Sequence, residues 1–183
     1  MLSLRKAGAR EAVEVSSALY AVHTDFRYWL RFSEVLRSGS PLLSDFDFMY
    51  ARGIPEDRQA GLLALVDFYA GKRELPRARG AGDLRRVIDY DTDADLIYAA
   101  FMEVYGIDLT EERLHWHKFR ALMDGLHGTK LNEVIGYRLY DGSDAGDWKK
   151  RMAELHEMWE LPEELTDEER AAADEFDAKL EQV

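Results

Sequence analysis

The sequence predicts a mainly α-helical fold, arranged as a compact multi-helix domain. The chain has 183 residues, of which 46% are hydrophobic, 33% are charged and only four are prolines; this composition is typical of a globular, helix-rich protein. Residues that favour the first and last positions of helices flank most of its apolar segments. A chain of this length buries roughly 70% of the surface that its unfolded form exposes, so one hydrophobic core is sufficient.

The amino-terminal segment from Ala12 to His23 is the exception to the helical pattern. It alternates and is rich in β-branched and aromatic residues, and Ser16 and Ser17 lie between its two apolar runs. This pattern predicts a short β-hairpin. An amphipathic helix is the competing interpretation of the same residues.

Three helices are predicted in the rest of the first half. Thr24 and Asp25 are suitable capping residues for a helix from Phe26 to about Leu36. A short helix is expected from 46 to 51, and a longer one from Pro55 to about Ala70. Because the longer helix is apolar on several faces, we expect it to be largely buried; its apolar residues are Leu62, Leu63, Leu65, Val66, Phe68 and Tyr69.

The second half is more regular and predicts five helices. The first runs from Thr92 to Tyr105, where Gly106 ends it. Asp108 and Glu111 have the spacing of a capping box, which predicts a helix over about 111–126. Further helices are expected over about 129–140 and 146–159. After Pro162, an acidic carboxy-terminal helix is expected over about 166–180, and Thr166 and Glu169 form another capping-box pair at its start.

Composition shifts divide the chain into four parts. Residues 1–71 hold the hairpin and the first helices, and residues 90–160 form the second helical part of the same domain. Between them, residues 72–89 contain six bases, three acids, glycine and proline, which predicts a basic linker. Residues 161–183 form an acidic tail: from Glu160 to Val183, ten acids against two bases give −8 of the net charge of −12.

Several classes of protein are excluded by composition. There is no cysteine, which rules out disulfides, cysteine nucleophiles and thiolate metal sites. The net charge of −12 opposes nucleic-acid binding, because a polyanion needs basic contacts. No apolar stretch approaches the roughly 20 residues of a membrane span, and the first ten residues lack the apolar run of a signal peptide. We therefore expect no nucleic-acid or membrane partner, and no cofactor.

Two groups of residues resemble metal sites. Asp89, Asp91, Asp93 and Asp95 have the early spacing of a calcium-binding loop, but the glycine and the final carboxylate of that loop are missing. These carboxylates are better explained by the amino-terminal dipole of the helix that follows. His115 and His117 are two residues apart and cannot share a metal from one helix face.

The same two histidines have different predicted environments. His115 lies on an apolar stripe with Phe119, so we expect it to be a hydrogen-bonded core or interface residue. His117 lies on the polar side and is expected to be solvated. No phosphate-binding loop or nucleophile elbow is present. No catalytic residue is therefore predicted.

Aromatic and apolar residues on helices are the candidates for partner binding. Trp116 and Phe119 belong to the aromatic-rich second half, and for most of its aromatic residues packing in the core is the competing interpretation. Phe176 and Leu180 belong to a narrow apolar seam on the acidic terminal helix, and such a seam docks either on its own domain or on a partner. These four residues are the predicted partner-binding residues.

Several short motifs, taken in order, resemble a known family. Ile88-Asp89-Tyr90-Asp91, then Tyr105-Gly106-Ile107-Asp108-Leu109 and Leu114-His115-Trp116-His117-Lys118-Phe119, are similar to segments of the bacteriophage gene-product-fifteen family. Thr24-Asp25-Phe26-Arg27 and the Gly53-Ile54-Pro55 turn fit its first half. The resemblance covers roughly residues 22–140.

The resemblance implies a protein of tailed phages or prophages that is encoded among the tail genes. It implies a noncatalytic tail assembly chaperone that binds the tape-measure protein and other tail assembly proteins in the host bacterial cytoplasm, acting as a homo-oligomer. The alternative is a structural tail or connector protein that stays in the virion. A metal-dependent hydrolase that uses the Asp89 to Asp95 carboxylates ranks third.

Overall fold

A computed structural model describes residues 9–71, 86–143 and 145–162. The chain divides into two compact units. The smaller unit contains Glu11–His23 and Arg27–Phe68, and the larger contains Thr24–Phe26 and the described residues from Tyr69 to Leu161. The fold is mainly helical with one short antiparallel hairpin, as predicted from the sequence.

The smaller unit begins with the hairpin. Strands β1 (Ala12–Val15) and β2 (Ala18–Ala21) pair in antiparallel register, with Val15 opposite Ala18. The two-residue turn consists of Ser16 and Ser17, which both adopt positive φ values of 49° and 67°. Turns of this kind match the twist of the two strands. The hairpin prediction is thus confirmed, and the competing helix is excluded.

Helices α1 (Phe26–Arg37) and α2 (Arg58–Ala70), with a 3₁₀ helix (Leu43–Met49) between them, complete this part of the chain. Its core is aromatic: Trp29 stacks on Phe68 with ring centroids 4.5 Å apart. The short helix begins three residues before its predicted start at 46. Helix α2 begins three residues after Pro55, because the Asp57 carboxylate accepts a hydrogen bond from the backbone N–H of Ala60 (2.9 Å).

The larger unit holds helices α3 (Ala94–Tyr105), α4 (Trp116–Gly125), α5 (Lys130–Arg138) and α6 (Gly146–Trp159). Gly106 ends α3 in the left-handed conformation with φ of 64°, as predicted. Thr129 and Asn132 form the capping box that begins α5. The interior of the unit is apolar and includes the buried residues Ile97, Phe101, Leu131 and Val134.

Two helix starts in this unit differ from the predictions. Helix α3 begins after Asp93 rather than at Thr92. Helix α4 begins at Trp116, five residues later than predicted, because the Asp108 carboxylate accepts hydrogen bonds from the backbone N–H (2.8 Å) and hydroxyl (2.6 Å) of Thr110 and so forms a local turn. The same hydrogen bonds hold the pKa of Asp108 below its usual value.

Other predicted features fall outside the residues that the structure describes. They are most of the basic linker and the acidic terminal helix with Phe176 and Leu180. Within the described ranges, no helix is both long enough and apolar enough to cross a membrane.

Candidate functional site

Two of the four residues that were predicted to bind a partner, Trp116 and Phe119, lie in the interior of the larger unit. Trp116 and Phe119 are each 1% exposed. Trp116 stacks on Tyr69 at 5.0 Å and donates a hydrogen bond from Nε1 to the Tyr69 carbonyl (2.9 Å). Phe119 stacks on both Phe26 (4.5 Å) and Phe101 (5.3 Å). Their side chains therefore pack the core and offer almost no surface to a partner in this conformation.

His115 has the hydrogen-bonded role that its position on the apolar stripe predicts. Its Nδ1 accepts a hydrogen bond from the backbone N–H of His117 (3.1 Å), so the ring caps the start of α4. The proton therefore lies on Nε2, which is 2.8 Å from the Arg10 carbonyl and donates to it. A neutral imidazole of this tautomer satisfies both contacts.

His117 is buried, so the prediction of a solvated side chain is wrong. Its ring packs beside the backbone at the end of α2, where a Cβ atom at Gly71 would lie 3.8 Å from its Nε2. Arg120 contacts the same end of α2 and donates hydrogen bonds to the carbonyls of Tyr69 (2.6 Å) and Ala70 (2.7 Å). A guanidinium at these carbonyls stabilises the helix end.

The aspartates that resemble a calcium loop fix the backbone instead. Asp89 accepts hydrogen bonds from the backbone N–H groups of Asp91 (3.2 Å) and Thr92 (2.8 Å). Asp93 is 1% exposed and pairs with both terminal nitrogens of Arg138 (2.7 and 2.8 Å). In the part of the chain that the structure describes, no group of three or more His, Cys, Asp or Glu side chains could hold a metal ion.

Arg138 is a central residue that the sequence analysis missed. Besides Asp93, its guanidinium donates hydrogen bonds to the carbonyls of Val87 (3.0 Å) and Trp159 (2.7 Å). It therefore joins the segment before α3 and the end of α6 to its own helix, α5. No local signal could identify it, because its partners lie 21 to 51 residues away in the sequence.

Helix α2 exposes an apolar strip, which differs from its predicted burial. Only one face of the helix is buried, and it carries Gly61, Leu65 and Phe68. On the opposite side, Leu63 is 65% exposed and Val66 is 37% exposed. They are three residues apart and thus adjacent on the helix surface. We name Leu63 and Val66, with the half-buried Leu62 beside them, the α2 strip.

Helix α6 is the second exposed apolar feature. None of its 14 residues is buried, and Trp148 (57% exposed) and Met158 (71% exposed) face solvent. Large exposed apolar side chains on helices are the residues that partner helices bind.

The comparisons with known proteins identify one family. The family described as "Bacteriophage Gp15 protein" matches residues 9–161, which include both units and both exposed apolar features. Among curated proteins and among solved structures, no match is found. Since the match extends over most of the chain, this protein belongs to the bacteriophage Gp15 family.

Proposed function

We propose that this phage protein is a noncatalytic tail assembly chaperone, which binds and solubilises the tape-measure protein during tail morphogenesis in the host bacterial cytoplasm. Membership of the bacteriophage Gp15 family supports a role in a phage. The observation that carries the proposal is the α2 strip, an exposed apolar surface on a helix that contacts a core with its other face.

The chemistry of the strip suits an apolar helical partner. Leu63 and Val66 stand on a helix whose only charged residues are Arg58 and Asp67, and Arg58 is paired with Asp47 (3.0 Å). Two helices with apolar strips bury these surfaces together, at roughly 25 cal/mol for each Å² of apolar area. A tape-measure protein is a long helical chain with apolar stripes, and it needs such cover until the tail assembles around it.

The small size of the strip favours reversible binding. Two exposed side chains give a weak single contact, which a chaperone can release when the tail tube forms. Many copies bound along one long partner still hold it by avidity. The net charge of −12 keeps such a coated chain soluble through repulsion between copies.

The test is coexpression with the tape-measure protein, followed by affinity capture and by quantification of the soluble tape-measure protein. We expect the wild-type chain to capture it, and Leu63→Lys to lower its recovery by about tenfold, since a charge would enter the apolar contact. Leu19→Lys is the matched control: Leu19 is also exposed, and it lies opposite Glu14 in the hairpin, so this change is expected to leave recovery unaltered.

Two results would contradict this proposal. Failure of the wild-type chain to capture any tape-measure segment would remove the binding function. Stoichiometric amounts of the protein in purified mature particles would instead favour the alternative, a structural tail or connector protein.

A further inference from the structure

Helix α6 is attached to its unit through its second half. The carbonyl of Trp159 accepts the hydrogen bond from Arg138, and the Nδ1 atom of His156 lies 2.8 Å from the Tyr137 carbonyl. Lys130 lies over the Trp159 ring at 5.7 Å. Because these contacts hold one face of the helix against α5, the remaining faces of α6 are exposed.

One exposed flank of α6 has the spacing of a helix-pairing surface. Trp148, Arg151, Leu155 and Met158 follow one another at intervals of three, four and three residues. This is the spacing at which side chains meet a neighbouring helix in a coiled coil. Leu155 is half-buried, and the other three side chains are exposed. We name these four residues the α6 flank.

The charges of α6 are ordered along its length. Its Lys and Arg residues lie in the first half and its acids, apart from Asp147, lie in the second; the bases are Lys149, Lys150 and Arg151, the acids are Glu154 and Glu157, and Glu160 follows directly after the helix. This order opposes the helix dipole, which favours acids at the start and bases at the end. The stability of the isolated helix therefore does not account for the order.

We propose that two copies of this chain associate through their α6 flanks, with the two helices antiparallel about a two-fold axis near Ala153. Reversing one helix places Trp148 opposite Met158 of the second copy. It also brings Arg151 beside Glu154 of the second copy, so each basic half meets an acidic half. Such a surface is self-complementary, as a two-fold interface requires.

Charge complementarity determines both the partner and its direction. A parallel pair would place Arg151 against Arg151 of the second copy, and like charges at such positions repel. In the antiparallel pair, Arg151 of each copy attracts Glu154 of the other copy, so the attraction occurs twice, once on each side of the axis. The Met158 sulfur meets an indole ring, a favourable contact for a thioether. This inference is independent of the proposed chaperone function, since it concerns the chain alone.

Sedimentation equilibrium of the full chain tests the association. We expect a monomer–dimer equilibrium, and we expect Arg151→Glu and Glu154→Arg each to weaken it by at least about tenfold, because each change creates two repulsive pairs. The double variant R151E/E154R reverses both Arg151–Glu154 pairs and is expected to restore the wild-type dissociation constant to within about threefold. Glu103→Lys, on an exposed position of α3, is the matched charge control.

A second measurement does not depend on charge reversal. The chain has no cysteine, so Trp148→Cys and Met158→Cys introduce one thiol each. Oxidation of a mixture of the two variants is expected to give a cross-linked heterodimer, with little cross-linking of either variant alone. Circular dichroism confirms that each variant is folded.

The proposal is overturned if the wild-type chain is monomeric at all concentrations. It is also overturned if the double charge variant fails to recover while it remains folded. Preferential cross-linking of each cysteine variant to itself would show a parallel pair and would equally reject the antiparallel arrangement.

Discussion

At the scale of single residues, the hydroxyl of Tyr50 is the least satisfied group in the smaller unit. It is buried, and none of the described residues forms a hydrogen bond with it. It lies so close to Gly61 that an added Cβ atom there would be 2.7 Å from its oxygen. Gly61, the fourth residue of α2, is therefore required by the close approach of a tyrosine, despite the cost of glycine in a helix.

A double-mutant cycle tests this contact. Gly61→Ala is expected to lower the free energy of unfolding by about 1–2 kcal/mol, because overpacking outweighs the gain in helix propensity. Tyr50→Phe removes an unpaired buried hydroxyl and is expected to be neutral or slightly stabilising. With both changes, the alanine no longer meets the oxygen, so urea unfolding should show a coupling of about 1 kcal/mol or more. Strictly additive effects would exclude the contact.

The same hydroxyl predicts an alkaline loss of stability. Burial, followed by the negative charge of Asp47, raises the pKa of Tyr50 from 10.0 to about 12. In the unfolded chain tyrosine loses its proton near pH 10, whereas in the folded protein Tyr50 keeps it. The difference in pKa thus contributes to the free energy of unfolding in full below pH 10. This stabilising contribution is lost as the pH rises from 10.0 to about 12.

Urea unfolding at about pH 9 and about pH 11 measures the effect. The free energy of unfolding should fall less in Tyr50→Phe than in the wild type, since only the wild type carries this group. Equal falls in the two proteins would show that Tyr50 does not titrate as its surroundings indicate.

At the scale of helices, the Arg138–Asp93 ion pair connects α5 with the start of α3. Both side chains are buried. Asp93→Asn preserves the shape of the side chain but leaves Arg138 without its counter-ion, and breaking a buried pair in this way costs about 3–5 kcal/mol. Glu133→Gln is the matched control on α5, because it breaks the exposed pair with Lys130 (2.9 Å), which contributes less than about 1 kcal/mol. If Asp93→Asn and Glu133→Gln lowered stability by similar amounts in thermal or urea unfolding, this result would contradict the proposed role of Arg138.

The elements that the sequence predicted well are those with local signals. The Ser16-Ser17 turn, Gly106 and the Thr129 cap each act within a few residues of the chain, so the hairpin and the ends of α3 and α5 follow from them. The start of α4 does not. Its cap is a histidine, which is not among the preferred capping residues, and its first backbone N–H, that of Trp116, donates to the distant Thr24 carbonyl (2.7 Å).

The candidate surfaces, like the start of α4, depend on contacts between residues that are distant in the sequence. The apolar sequence of α2 predicts a largely buried helix, yet Leu63 is exposed because tertiary neighbours cover only one face. Conversely, Trp116 and Phe119 are buried in the core, although their aromatic character alone left both core packing and partner binding open. Whether an apolar side chain packs inside or binds a partner depends on distant neighbours, and periodicity does not record these.

At the scale of the whole molecule, charge and apolar surface are separated. Of the net charge of −12, −8 belongs to residues 160–183, so the remaining 159 residues carry only −4. A nearly balanced body allows α6 to carry both basic and acidic residues, which self-pairing requires. Repulsion by the acidic segment limits further aggregation without opposing a specific two-fold contact.

The two proposed surfaces also predict separable defects. Leu63→Lys is expected to weaken binding of the tape-measure protein by about tenfold but to leave the dimer intact, because the α2 strip is not part of the α6 flank. Arg151→Glu is expected to leave the affinity for a single-site tape-measure fragment unchanged. Its affinity for a long fragment with several sites should fall by about 10- to 100-fold, since a monomer loses the avidity of two linked strips.

Binding of both fragments to both variants by surface plasmon resonance, with Leu19→Lys as control, measures this difference. If Arg151→Glu weakens binding of the single-site fragment as strongly as that of the long one, α6 itself contacts the partner, and self-association is not the source of avidity.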